Sequence, residues 1–423
     1  MIKKSFFFVP FFLICSLFIS FFLELDSAGG SQEDFISSWK YISDLNHDLS
    51  ILNTQEQYPS PTSGYSLHFP LHYLIISRLN FFLENQDFFL RTFFLISLFI
   101  PVVFYKCLVL KFENIEKEKL VLLACLIYLF PSYRSSAIWG NVHITGLFFL
   151  LFSFFYYLKW NQNKENSLNI NILLQVIFLA LAAYTRQYYV LLFPFFFIKY
   201  LKFLSIKNFL YLSFFTFLLS LPGIYLLTIN NYLFTGLVQD RTNFFSSILV
   251  TSSIMAFYLI PFIIILFFSN IDFVKKKFFN KKSILYLFIS IAIVLLFSNF
   301  FLYKDNIGGG IFLRSSRHIF NNEIFFYFTS IIGLFFLLSM INNKIENFCL
   351  ILLLLVSFST GIYIFHKYFE PMFLIILFCL FDKEITQNFL KNKILLVYVY
   401  FIVYLLVAII QSKYHLIQHP YLG

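Results

Sequence analysis

The sequence predicts an all-α polytopic membrane protein: a bundle of about 11–13 transmembrane helices with a long first outer loop. Three observations carry that prediction. Of the 423 residues, 60% are hydrophobic and only 12% charged, with 65 Phe, whereas soluble domains hold roughly 25% charged residues. Apolar runs of about 18 residues or more recur, each long enough to cross a hydrocarbon core of about 30 Å. The lysines gather in short loops between these runs, as cytoplasmic loops do. The net charge of +10 therefore reads as membrane topology, and no nucleic-acid partner is expected.

The first run, Phe6 to Leu23, follows Lys3-Lys4 and is long for a cleaved signal peptide, so it reads as a retained span. Further runs cover approximately 88–110, 119–131, 138–158, 170–184, 186–200, 209–229, 248–269, 283–303, 323–341, 348–365, 371–381 and 393–411, roughly thirteen in all. The third, fifth, sixth and twelfth are short. Between the first two lies the outer region 24–87. Its loop carries Glu24, Asp26, Glu33, Asp34, Asp44, Asp48 and Glu56 against a single Lys40. Its segment 69–83, broken by His72 and Arg78, reads as a helix lying along the interface. No repeat, linker or second domain stands out, so 1–423 is read as one transmembrane domain. Asn-rich pieces such as NQNKEN read as solvated loops. The five cysteines (Cys15, Cys107, Cys125, Cys349, Cys379) sit in apolar runs and read as small buried hydrophobes.

With the Lys3-Lys4 end inside, twenty of the 24 lysines fall in inner loops; the exceptions are Lys40, Lys304, Lys367 and Lys413. All seven arginines, Arg78, Arg91, Arg134, Arg186, Arg241, Arg314 and Arg317, fall outside or at outer ends of spans. Topology treats Lys and Arg alike. The guanidinium fork, however, suits phosphate and carboxylate. The outer face is thus expected to be the working face, with snorkelling arginines as the plain alternative.

Four outer constellations carry chemistry. Glu33-Asp34 could supply a general base for a sugar hydroxyl, or be a solvated acidic loop. Arg186-Gln187 stands between two apolar runs, where a guanidinium usually faces a cavity or partner. In GGGIFLRSSRH the glycines let backbone N–H groups approach a ligand. There Arg314, Arg317 and His318 would grip a phosphate. At the turn His366-Lys367-Tyr368-Phe369-Glu370, His366 or Lys367 could assist that phosphate, or the segment is only a turn. His47, His68, His72 and His143 have no metal-ligand spacing; the sequence indicates no cofactor, and a metal is neither required nor excluded.

With those residues in place, the chain resembles the GT-C superfamily of membrane glycosyltransferases. The resemblance lies in a first span, an acidic outer loop and an interfacial helix whose LHFPLHYLI (67–75) is similar to an HPPLYY-type stretch. Four pieces resemble the dolichyl-phosphate-glucose-dependent α-1,2-glucosyltransferases: EDFISSWKY (33–41), YTRQYYVLLF (184–193), GGGIFLRSSRHIFNNEIFFYF (308–328) and FHKYFEPMF (365–373). They cover about 50 of the residues, in order along the chain. The acidic pair departs from the family, which usually reads Asp-Glu-Phe-His. The Trp-Asp-Pro and Thr-Pro-Gly-Leu-Tyr pieces are matched only loosely, between Tyr58 and Tyr65.

The resemblance implies a hexosyltransferase. It would move glucose from a polyprenyl- or dolichyl-phosphate donor to a glycan or lipid-linked oligosaccharide on the outer or lumenal face. Asp34 or Glu33 would be the base. Arg186, Gln187, Arg314, Arg317 and His318 would bind the donor phosphate, with Lys367 and His366 second in line. The membrane would be a bacterial cytoplasmic membrane or the endoplasmic reticulum. Two other classes remain open: a cell-envelope polysaccharide polymerase or ligase, and a lipid-linked sugar flippase.

Overall fold

The structure is a computed structural model. It describes residues 2–49, 68–229, 243–303, 308–342, 344–357, 364–390 and 394–418. Arg241, Lys304 and the Tyr58–Tyr65 stretch lie outside the described residues. All regular structure among the described residues is helical, with twenty α-helices, three short 3₁₀ turns and no strand. Among the described residues six helices are long and apolar enough to cross a membrane, or seven if one bent pair is counted as a span. That fits a chain that crosses a membrane several times. Shorter apolar helices at Phe8–Phe22, Ile170–Thr185, Gln187–Leu201, Ile324–Ser339 and Ile345–Val356 occupy other apolar runs. The chain divides into two compact units: residues 1–190, 200–236 and 398–423, and residues 191–199 and 237–397.

The first unit holds α1 (Ile2–Phe22), α2 (Ser31–His47), α3 (Leu71–Ser77), α4 (Asn80–Leu83) and α5 (Gln86–Lys111). It continues with α6 (Lys117–Cys125), α7 (Pro131–Ile138), α8 (Val142–Gln162) and α9 (Ile170–Thr185). The expected interfacial helix is thus the short pair α3 and α4. The run 119–131 does not end in a turn. It bends by 71° into α7 because Pro131 has no N–H to continue the ladder and holds Phe130 extended.

Arg134, in the bend, is 2% exposed. Its guanidinium donates to Ser16 O at 2.7 Å and Ser20 Oγ at 2.6 Å on α1, and to Tyr128 O at 3.1 Å. This arginine ties α1 to the bend. Phe35, Trp39, Phe89, Phe93 and Trp139 build an aromatic layer under α2, with ring centroids 4.5 to 6.1 Å apart.

After α10 (Phe193–Leu201) in chain order comes α11 (Ile206–Ile229), an apolar helix of the first unit with very little of its length buried. Pro222 interrupts it. There the Tyr184 hydroxyl donates to Leu219 O at 2.5 Å and accepts from Gly223 N at 3.0 Å. The phenol thus replaces one rung of the helix ladder.

The second unit is organised by α12 (Phe244–Ser269), which is buried along most of its length. Around it lie α13 (Ile271–Phe278), α14 (Lys281–Ser298), α15 (Gly310–Phe320), α16 (Ile324–Ser339), α17 (Ile345–Val356), α18 (Met372–Cys379) and α19 (Lys383–Leu390). Several helix starts are capped by the asparagines of the connecting loops. Asn243 accepts from Ser246 N, Asn270 from Phe273 N and Asn280 from Ser283 N, at 2.7, 3.1 and 2.9 Å, which satisfies an otherwise orphan donor at each. At one end Lys277 donates to Asn342, and Asn342 and Lys344 both reach Asp382, at 3.1, 2.7 and 2.6 Å. That network ties α13 to the connections that hold Asn342 and Asp382.

Helix α16 reaches α12 through small residues. Ser330 Oγ donates to Leu249 O at 3.0 Å, and a methyl group on Gly333 would lie 1.9 Å from Ser252 O. Gly333→Ala should therefore force the two backbones apart, at a cost of about 3 kcal/mol. A detergent-solubilised sample would show this as a lowered unfolding midpoint; an unchanged midpoint would mean the helices do not approach this closely.

Candidate functional site

Each compact unit brings together groups that the sequence singles out. In the first unit Glu33 and Asp34 lie exposed in the first turn of α2. Negative charge is favoured there by the helix dipole. The turn before them is closed by Asp26, whose Oδ2 accepts from Ser31 N at 2.6 Å and Gln32 N at 3.2 Å. The other Asp26 oxygen is buried and has no hydrogen-bond partner among the described residues. Sequence reading counts Asp26 as one acid of a loop; the structure makes it the anchor of the helix that carries the acidic pair.

Arg186 caps the end of α9 and is 5% exposed. Its Nη1 donates to His143 Nδ1 at 3.0 Å and to the Tyr188 hydroxyl at 2.9 Å. A guanidinium only donates, so His143 must accept at Nδ1 and carry its proton on Nε2. Gln187 follows directly, half-buried. His72 on α3 lies against the same cluster, with its Nδ1 2.8 Å from Thr145 Oγ1. Burial first, then the charge of Arg186, pushes His72 from its usual 6.5 down to about 3. Neither His143 nor His72 is detectable from spacing, since 43 residues separate His143 from Arg186 and the link exists only through folding.

In the second unit the three glycines have a geometric reason. Gly308, Gly309 and Gly310 take φ of 75°, 74° and 79°, in the left-handed region that side chains disfavour. A Cβ on Gly308 would also lie 2.5 Å from the Tyr303 hydroxyl. The turn delivers the chain into α15, which carries Arg314, Arg317 and His318.

These three differ sharply. Arg317 is engaged: it pairs with Glu323 Oε1 at 2.7 Å and donates to Tyr303 O, while Tyr327 donates to Glu323 Oε2 at 2.8 Å. It staples the two ends of its own loop. His318 is exposed on the last turn. Arg314 is half-buried and spends only its Nε, on Gly308 O at 3.1 Å. Its two terminal nitrogens make no hydrogen bond among the described residues.

His366 lies beside them on a 3₁₀ turn, where its Nε2 accepts from Ile311 N at 3.0 Å. Burial first, then the charge of Arg314, pushes its pKa down to about 3. With Nε2 accepting a backbone N–H, the ring acts here as a neutral acceptor, which the lowered pKa favours. Lys367 sits 5.4 Å from the centre of the Phe365 ring. No group of three or more His, Cys, Asp or Glu side chains able to hold a metal ion forms among the described residues. No protein family, curated protein or solved structure matches the chain.

The low value at His72 has a sign that can be tested. Its folded pKa lies below the unfolded one, so its stabilisation is complete above about pH 6.5 and is lost as pH falls toward about 3. The protein should lose stability across that window, by up to about 1.4 kcal/mol per pH unit from this residue. His366 acts in the same direction. His72→Asn should flatten its share of the slope in unfolding curves taken at stepped pH; an unaltered slope would show that His72 titrates normally in the fold.

Proposed function

We propose that the chain is a GT-C-type membrane glycosyltransferase. It moves a hexose, glucose by the resemblance of the four motif stretches, from a polyprenyl- or dolichyl-phosphate donor to a glycan hydroxyl on the outer or lumenal face. The observation that carries this reading is Arg314: a half-buried guanidinium beside a left-handed glycine turn, whose two terminal nitrogens make no hydrogen bond among the described residues. Such a fork matches phosphate oxygens, and its hold tightens as negative charge grows on a departing lipid phosphate.

In this mechanism the acceptor oxygen attacks the anomeric carbon. The bond from that carbon to the phosphate oxygen breaks, and the lipid phosphate leaves with the electron pair. The hydroxyl proton passes to a carboxylate base, for which the sequence offers Asp34 and its neighbour Glu33, exposed at the start of α2. A β-linked donor would react with a single inversion. Arg186 and Gln187 are the phosphate or sugar ligands of the first unit, and His318 and Lys367 are secondary cations. Arg317 is assigned to structure, because its ion pair with Glu323 competes with any ligand.

The test uses purified protein in lipid nanodiscs with radiolabelled polyprenyl-phosphate glucose. Arg314→Ala should weaken donor binding by about 10- to 100-fold, the worth of charge-assisted hydrogen bonds. Arg317→Ala should lower the unfolding midpoint more than it lowers affinity. Either Asp34→Asn or Glu33→Gln should abolish transfer with donor binding kept. Wild-type protein that neither binds nor transfers across several lipid-phosphate sugars would overturn the reading.

A further inference from the structure

The second unit contains a run of hydrogen bonds that the transfer chemistry does not use. Tyr258, on the buried helix α12, donates to Glu370 Oε1 at 2.7 Å and lies 2.8 Å from His366 Nδ1. Glu370 is fully buried. At the far side His366 Nε2 accepts from Ile311 N at 3.0 Å, in the first turn of α15. The directions are forced. A backbone N–H only donates, so Nε2 must present its lone pair and the ring proton of the neutral imidazole must sit on Nδ1. That proton points at the Tyr258 oxygen, which leaves the Tyr258 hydroxyl hydrogen for the carboxylate of Glu370. The chain therefore runs from amide to imidazole to phenol to carboxylate, joining residues 311, 366, 258 and 370.

We propose that His366, Tyr258 and Glu370 form a positioning chain. It selects one histidine tautomer and thereby holds the glycine turn, and Arg314 with it, in a single orientation. The alternative tautomer would set the Nε2 hydrogen against the Ile311 hydrogen, two donors face to face, and expel the first turn of α15. Tyr258 rejects that tautomer because its hydroxyl hydrogen is already committed to Glu370. Three further contacts converge on the same turn. Gly309 N donates to Ile364 O at 2.8 Å, Ile364 N donates to Tyr303 Oη at 3.4 Å, and a Cβ on Gly310 would press on Ile254 of α12 at 2.8 Å. The proposal about the turn stands on these contacts alone. Its consequence for donor affinity rests on the assignment of Arg314 to the phosphate.

Two separable readouts test it. The first is amide hydrogen exchange on the intact protein in detergent. In Tyr258→Phe, exchange at residues 310–314 should rise about tenfold, the scale of one lost hydrogen bond, while α16 keeps its protection. His366→Ala should do the same. His366→Gln, whose side-chain oxygen can take the Ile311 hydrogen, should restore most of the protection even if Tyr258→Phe fails to fold. The second readout is the KM for polyprenyl-phosphate glucose, expected to rise about tenfold in Tyr258→Phe with kcat within about twofold. Unchanged exchange at 310–314 in His366→Ala, or equal loosening in the Ala and Gln variants, overturns the chain. Loosened exchange in a wild-type background that shows no transfer leaves the chain standing and removes only the glycosyltransferase reading.

Discussion

A backbone amide that is cut off from water must find a partner inside the protein, and most of the polar contacts in this chain answer that demand. Where Pro222 breaks α11, a tyrosine hydroxyl fills the rung. Where α12, α13 and α14 begin, loop asparagines take the first free donor. Where α2 begins, Asp26 does so from five residues upstream. Where α15 begins, no residue in the glycine turn can cap it, because glycine has no side chain. The acceptor comes instead from His366, 55 positions further along the chain. The same rule explains why a buried arginine, Arg134, can serve structure: its fork meets two hydroxyls and two carbonyls at once.

The helical character of the chain was plain from composition, because apolar runs of that length have few other solutions. Most of the thirteen runs fall on helices among the described residues, six or seven of which are long and apolar enough to cross a membrane. The sharper errors are local and have causes. Pro131, read as the end of a run, bends one element into the next. The interfacial segment 69–83 became two short helices separated near Arg78, where the ladder closes on itself. The asparagines that cap α12, α13 and α14 carry no mark in the hydropathy pattern. None of these follows from hydropathy, since each depends on which amide lacks a partner.

The candidate site was legible in residue type and illegible in division of labour. Arg314 and Arg317 are three positions apart on one helix, and sequence reading treats them as a pair. Folding gives one to Glu323 and, among the described residues, engages the other only through its Nε. His366 reads as a cation in sequence and is a neutral acceptor in the fold. Tyr258 lies in the middle of a long apolar run, 112 residues from Glu370, and no local pattern could mark it. Long-range polar contacts of this kind are set by the packing of helices whose facing surfaces are almost entirely hydrocarbon, so their few hydroxyls leave no periodic trace.

The phenol set into α11 has a mechanical meaning. Tyr184 stands two positions before Arg186, and its oxygen holds both sides of the gap in the α11 backbone. Helix α11 exposes nearly all of its flank, so whatever surrounds the protein bears directly on it. The segment that carries the Arg186 guanidinium is thus fastened at its near end to the most exposed helix of its unit. The break at Pro222 and the turn that carries Arg186 therefore share one side chain, Tyr184.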